Sequence, residues 1–172
     1  MHIPITDQIA LTEFRISDKT ACVERIGERE IYEGALRIPY PYTAEHYDEW
    51  LNIVDELTRR YGEPVHFAIR EGEELIGSIG FDGLTKGHKA EIGYWLAKPW
   101  WGRGIMTAVV GVACRYAFRQ WNLVRITAHV FEFNLASARV LEKNGFEFEG
   151  LLRKHYLKDG QFLNSRLFAL VR

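Results

Sequence analysis

The feature that most constrains this chain is a run from residue 90 to residue 131 that reads strand, glycine-bearing turn, helix, strand. Ala90 to Ala97 is β-rich, and Gly102-Arg103-Gly104 then interrupts it. Thr107 to Trp121 is helix-like, with Ile105, Val109, Val112, Ala113 and Tyr116 along one side, and Val124 to Phe131 is a second β-rich run. A strand–helix–strand crossover in one sheet is right-handed and lays its two strands side by side in parallel. The rest of the fold has to be built around that parallel pair.

The flanking sequence supplies mostly antiparallel material. Ile9 to Ile16 alternates loosely as a first strand, and Ser17-Asp18 offers a cap for a helix to about Glu28. Tyr32 to Thr43 reads as irregular, ending at Thr43 as the cap of a helix whose face is Tyr47, Trp50, Leu51, Val54 and Leu57. Gly62 ends that helix. Val65 to Arg70 and Leu75 to Phe81 form a hairpin about Glu71-Gly72-Glu73-Glu74. Asn134 opens a short helix that stops at Asn144-Gly145. Phe146 to Leu151 and Gln161 to Val171 close the chain as strands, with Lys158-Asp159-Gly160 as the turn. The pattern predicts one α+β domain over residues 1–172, with no repeat and no linker.

Composition narrows the partners. The net charge of −1 argues against a sequence-independent nucleic-acid binder, which carries a basic excess. Cys22 and Cys114 stand alone, outside any zinc or disulfide spacing, so no metal is expected. The N-terminus lacks the regions of a signal peptide, and no stretch approaches the roughly 18 apolar residues of a membrane span. A cytoplasmic protein without membrane contact is the expectation.

The turn itself carries chemistry. Glycines let the backbone approach a ligand, and the unpaired N–H groups that open a helix, with the helix dipole, make an anion site suited to a pyrophosphate. Arg103 adds a cation at the rim. The spacing fits neither the nucleotide P-loop G-x-x-x-x-G-K-[ST] nor the dinucleotide pattern G-x-G-x-x-G, whose third glycine falls on Thr107.

The stretch Glu91-Ile92-Gly93-Tyr94-Trp95-Leu96-Ala97-Lys98-Pro99-Trp100-Trp101-Gly102-Arg103-Gly104-Ile105-Met106-Thr107 resembles the acetyl-CoA signature of GNAT acetyltransferases, Q/R-x-x-G-x-G/A. With Gly104 as its glycine, Trp101 takes the first slot and Met106 the last. Both depart from the pattern, and Met106 puts a long side chain where a small residue usually faces the phosphates. Asn134-Leu135-Ala136-Ser137, running on to Asn144-Gly145-Phe146, is similar to the N-x-x-S segment of the RimJ/RimL-like branch, the ribosomal-protein N-terminal acetyltransferases. Asp159-Gly160 with Phe162 also fits. The resemblance implies a mixed, mostly antiparallel sheet of about seven strands flanked by about four helices, its splayed parallel pair holding the cofactor.

The same resemblance implies the chemistry and the residues that perform it. Acetyl-CoA is the co-substrate. Its pantetheine arm pairs with backbone at Trp95, Leu96 and Ala97, its phosphates meet Gly102, Arg103, Gly104, Ile105, Met106 and Thr107, and Asn134 and Ser137 touch it or a bound water. Asn134 is equally an N-cap. Glu91 is the general base, directly or through water, or else a surface strand glutamate. His155 stands in reserve beside Tyr156, where a RimL-like enzyme carries a glutamate. Ser137 takes the slot of the proton donor to the thiolate, with orientation as the alternative. Tyr32, Tyr40 and Tyr42 line the acceptor pocket, or belong to the core. Transfer is direct, in a ternary complex, onto a primary amine. A protein N-terminal α-amine leads, a small amine comes second, and a non-catalytic acetyl-CoA-binding module is the rival. A homodimer is a feature of this branch.

Overall fold

Thr43 shows how the local chemistry sets the elements. It has extended backbone, its N–H donates to His46 Nδ1 at 3.1 Å, and its hydroxyl accepts from the His46 N–H in return. Such a cap contributes about 1 kcal/mol. The helix it opens ends at Gly62, whose φ of 76° is the left-handed turn that glycine adopts without strain.

The computed structural model describes Met1–Arg172. Eight strands and five α-helices succeed one another. They are β1 (His2–Pro4), β2 (Ile9–Thr12), α1 (Lys19–Ile26), α2 (Arg29–Gly34), α3 (Ala44–Tyr61), β3 (His66–Glu71), β4 (Glu74–Thr85) and β5 (Lys89–Leu96). The second half adds α4 (Ile105–Gln120), β6 (Arg125–Phe131), α5 (Leu135–Lys143), β7 (Glu147–Lys158) and β8 (Gln161–Val171). The strand order is β1-β2-β3-β4-β5-β6-β8-β7. Its pairs are antiparallel at β1–β2, β2–β3, β3–β4, β6–β8 and β7–β8, and parallel at β5–β6, as the crossover requires. No helix is long and apolar enough to cross a membrane.

The chain divides into two compact units, and β4 and β5 contribute to both. The first comprises Met1–Gly80 and Tyr94–Arg103. Its core gathers Cys22, Ile26, Ile31, Tyr47, Ala68 and Leu75, with Phe14, Leu51, Tyr42 and Trp95 packed against them. Beside that core lies an ion pair. Arg70 forks onto Asp18 at 2.7 and 2.6 Å, its Nε donates to Thr12 Oγ1 at 2.7 Å, and both charged groups are buried. Planar, doubly bonded geometry of this kind offsets the desolvation of the two charges, and losing one partner of such a pair costs about 3–5 kcal/mol.

The second unit comprises Phe81–Gly93 and Gly104–Arg172. Val109, Val110, Ala113 and Ala117 form the buried side of α4. Trp121, just past its end, meets Phe81 edge-on at 5.1 Å and Tyr116 at 5.7 Å. Asn144 ties α5 to α4, its side-chain amide donating to Val140 O at 2.9 Å and Thr107 O at 3.1 Å.

The expected fold class is present: a mixed, mostly antiparallel sheet with one parallel pair, of eight strands with five α-helices where about seven and about four were expected. Three element-level expectations need correction. The stretch Tyr32 to Thr43 is not irregular at its start, because α2 runs on to Gly34. His2–Pro4 forms an extra edge strand on β2. The strand placed over Phe146–Leu151 continues to Lys158, because two bulges let an irregular pattern stay paired with β8.

Candidate active site

The turn between β5 and α4 takes its shape from its residues. Lys98-Pro99-Trp100 makes one short 3-10 turn with proline at its start. Gly102 and Gly104 then take φ values of 73° and 75°, conformations that L side chains rarely adopt, and a Cβ at either would meet open space. Both positions require glycine for backbone reasons, and nothing covers them. Gly104 is the N-cap of α4 with no side-chain cap, and the first helical bond runs from Ala108 N–H to Gly104 O at 3.1 Å. The amides of Ile105, Met106 and Thr107 precede that bond, so they are the unpaired donors at the positive end of the dipole. Met106's side chain is buried. The crowding expected from its length is therefore directed into the protein rather than toward those amides.

The first unit carries Trp95, Leu96, Ala97, Gly102 and Arg103. Ala97 N–H donates to Ile76 O at 2.8 Å, which commits it to β4. Strand alternation then turns the Leu96 amide toward the opposite edge. The Leu96 carbonyl accepts the Trp101 indole N–H at 2.6 Å. Of the backbone groups around Trp95–Ala97, Ala97 N–H is thus already bonded within the sheet, and Leu96 N–H points away from β4. Arg103 is steered by Glu71, whose Oε1 lies 3.3 Å from its guanidinium, while Oε2 accepts from Trp100 Nε1 at 2.9 Å. Arg25 lies over the Trp100 ring, 5.0 Å from its centre.

The three tyrosines of the expected acceptor pocket do not form one cluster of equals. Tyr32 and Tyr40 pair, ring centres 5.1 Å apart, and Tyr40 is exposed. Tyr42 instead packs against the core and lies beside Cys22. Burial raises the Tyr42 hydroxyl well above its ordinary pKa, and burial likewise pushes the Cys22 thiol up to about 12. Cys114 is raised by burial to about 12 as well. Neither thiol is a ready nucleophile near neutral pH.

The second unit carries Glu91, Asn134, Ser137, His155 and Tyr156. Asn134 is the N-cap of α5, its Oδ1 accepting from Ser137 N–H at 3.2 Å, so these two candidates are brought together. Glu91 is half-exposed on β5. The parallel ladder pairs Lys89 with Arg125, Ala90 with Ile126 and Glu91 with Thr127, and stops there, although β5 runs on to Leu96 and β6 to Phe131. Paired residues share a face and alternate residues return to it, so Thr127, His129 and Phe131 lie on the side of Glu91.

His129 is the residue that sequence reasoning missed. Its Nε2 lies 3.9 Å from Glu91 Oε2, and its Nδ1 lies 3.4 Å from the Oγ of the buried Ser165. The ring of His155 stacks on it at 5.2 Å and 12°. His155 reaches that place because β7 bulges between Leu152 and Tyr156, with Lys154 at a φ of 51°. Tyr156 closes the group edge-on, 4.3 Å from His155 and 6.2 Å from His129. Burial is the largest influence on His129 and lowers its pKa; the Glu91 carboxylate works against that shift and His155 works with it. The only signal in the sequence was the period-two set Thr127, His129, Phe131, and its meaning depends on a register that the sequence does not state.

This geometry has counterparts. Residues 8–147 match the family model described as an acetyltransferase (GNAT) domain. The chain is 38% identical to the uncharacterized N-acetyltransferase YoaA of Bacillus subtilis, covering 97% of this chain and 95% of that protein. It is 31% identical to the ribosomal protein uS5-alanine N-acetyltransferase of Escherichia coli over 70% of this chain and 63% of that protein. A solved structure of RimL, a ribosomal L7/L12 α-N-protein acetyltransferase in complex with coenzyme A, superposes with a TM-score of 0.89 at 21% identity, covering 99% of this chain and 98% of that one.

Proposed function

The chain belongs to the GNAT acetyltransferase family, and from that premise we propose that it acetylates a protein or peptide N-terminal α-amine by direct transfer from acetyl-CoA in a ternary complex. The observation that carries the choice of donor is the uncapped, glycine-opened start of α4, immediately after a strand whose Leu96 amide faces away from its β4 neighbour. A pyrophosphate fits the amides of Ile105, Met106 and Thr107, with Arg103 at the rim. The arm extends the edge of β5 at Leu96 as an added strand does, exchanging the Trp101 indole for its own donor. In the second unit, Asn134 and Ser137 at the start of α5 are the residues we assign to the cofactor.

The choice of acceptor is supported by the similarity to the uS5-alanine N-acetyltransferase and by the chemistry of amines. Only a neutral amine attacks a thioester. An α-amino group with a pKa of about 8 is roughly one-tenth neutral at pH 7, whereas a lysine at about 10.4 is neutral in fewer than one molecule in a thousand. A site with one modest base therefore suits an α-amine. In the second unit Glu91 is the basic residue and Ser137 orients the reacting thioester; in the first unit Tyr32 and Tyr40, which pair, and Tyr42, which packs on the core, are the residues for the acceptor.

The test is free-thiol release from acetyl-CoA against peptides with free N-termini, the same peptides N-terminally blocked, and a panel of small amines. Release with free but not blocked peptides is the expected result. Release with small amines alone would overturn the α-amine reading, and silence on every amine with acetyl-CoA bound in calorimetry would overturn the enzyme reading of this site.

A further inference from the structure

Glu91 sits where a base is needed, but carboxylates as a class, with reference values of about 4.3, are poorly matched to an ammonium of about 8. A general base works best with a pKa near the operating pH, and an imidazole is the side chain that meets that condition. The structure puts one directly behind the carboxylate. His129 is one alternation beyond the last rung of the parallel ladder, where β5 and β6 cease to pair. Its Nε2 faces Glu91 at 3.9 Å, too long for a hydrogen bond and close enough for an ion pair once the ring is charged. Its Nδ1 faces Ser165 Oγ at 3.4 Å.

We propose that His129 is the proton acceptor of the acetyl transfer, taking the substrate ammonium's proton on Nε2 while Glu91 holds the charge that forms. This rests on the reading of the chain as an amine acetyltransferase and assigns the atom at which its proton is removed. The resting ring is the neutral tautomer with Nδ1–H donated to Ser165 Oγ, which leaves the Nε2 lone pair free. Ser165 is a positioning residue, fully buried on β8 opposite Phe131 and Leu152, and so unable to turn with a rotating ring. His155 stacks on one face of the ring.

Every proton and bond in the step is accounted for. The ammonium gives one proton to His129 Nε2 and becomes a neutral amine. The amine nitrogen forms a C–N bond to the acetyl carbonyl carbon, and the C–S bond breaks. The nitrogen's surplus proton passes to the departing thiolate, and His129 then returns its own proton to solvent. The groups that face the ring are Glu91 from β5, Ser165 from β8, and His155 and Tyr156 from β7. Only Glu91 brings a negative charge to Nε2, and burial together with His155 keeps the ring neutral at rest.

The experiment uses whichever amine the wild-type protein acetylates in the thiol-release assay, so that a small-amine result overturns the α-amine reading without touching this one. His129→Gln should lower kcat by about 100-fold or more, the usual share of a general base. The Kd for acetyl-CoA, measured by calorimetry, should stay within about twofold, since the ring acts on the acceptor's proton and not on the donor's binding. In that variant the acidic limb of the kcat/KM profile should move up to the amine's own pKa, about 8 for an α-amine, because only the fraction already neutral can then react. In Glu91→Gln the limb should move to lower pH, because the imidazolium loses its counter-charge. A titration of the His129 ring by NMR in the wild-type protein reads the same group without a substitution and should show it neutral at pH 7. A His129→Gln enzyme that keeps kcat within about threefold and leaves its acidic limb at the wild-type position would overturn the proposal. So would a His129 ring that is charged at pH 7.

Discussion

At the scale of single residues, the decisive contrast is between two ionisable groups held in different ways. Arg70 and Asp18 are buried as a doubly hydrogen-bonded pair, in which each charge answers the other. His129 is held by burial against a half-exposed carboxylate, so its proton is the one the fold resists. The consequence for stability has a definite sign. The unfolded chain takes up that proton at about the ordinary value of 6.5, the folded chain only at lower pH. The folded state therefore holds its full contribution from this residue above pH 6.5 and loses it as pH falls through the lowered folded pKa. Urea denaturation of wild-type and His129→Gln proteins at a series of pH values should show wild-type losing stability faster below that value, and the two curves running parallel above it. The buried pair predicts a plain loss: Asp18→Asn should cost about 3–5 kcal/mol in the same assay, because it leaves the Arg70 charge buried and uncompensated.

At the scale of elements, the start of α4 and its tie to α5 are the parts that can be tested independently. Gly104 holds a left-handed conformation at the N-cap, so Gly104→Ala carries about 1–2 kcal/mol of strain. Relieving it turns the first amides of the helix, and acetyl-CoA binding in calorimetry should weaken by about tenfold or more, the equivalent of 1.4 kcal/mol. Further along α4, a Cβ added at Gly111 would stand 2.7 Å from Asn144 Oδ1, and Asn144 cannot give way while its amide holds Thr107 O and Val140 O. Gly111→Ala should therefore destabilise the wild-type protein. In an Asn144→Ala background the obstruction is gone, and alanine's advantage over glycine in a helix, about 1 kcal/mol, should make the same substitution stabilising. A double-mutant cycle in urea reads that change of sign directly.

These elements also show what a sequence can state. The β5–turn–α4–β6 crossover was legible because strand and helix periodicities, a glycine pair and a right-handed connection all agree. Asn134 was legible as a cap because the cap is a local bond to Ser137. α2 was not legible, since Arg29–Gly34 is too short to show a period and the tyrosines around it suggest a pocket. The second half of β7 was hidden for a related reason: a bulge breaks the alternation that identifies a strand. Glu91 could be singled out by its place before the glycine turn, but its partner could not. The pairing of Glu91 with Thr127 is a register, and register is a property of two distant segments meeting. His129 and Ser165 enter the site only through it.

At the scale of the whole molecule, the path of the chain has its own logic. The first unit takes Met1–Gly80 and returns for Tyr94–Arg103, while the second takes Phe81–Gly93 and everything from Gly104 onward. Neither unit is a contiguous stretch of chain. The turn between β4 and β5, at Lys86-Gly87-His88, is exposed, and its backbone is held by Trp121 O through Gly87 N–H at 2.8 Å. A break placed there would not separate one unit from the other, because each fragment keeps part of both. Fragments 1–86 and 87–172, made apart, should each be unfolded by circular dichroism and inactive in thiol release, and should recover both properties only on mixing or co-expression. The interleaved chain thus gives this enzyme the logic of an AND gate: acetyl transfer would report that two separately encoded halves have met.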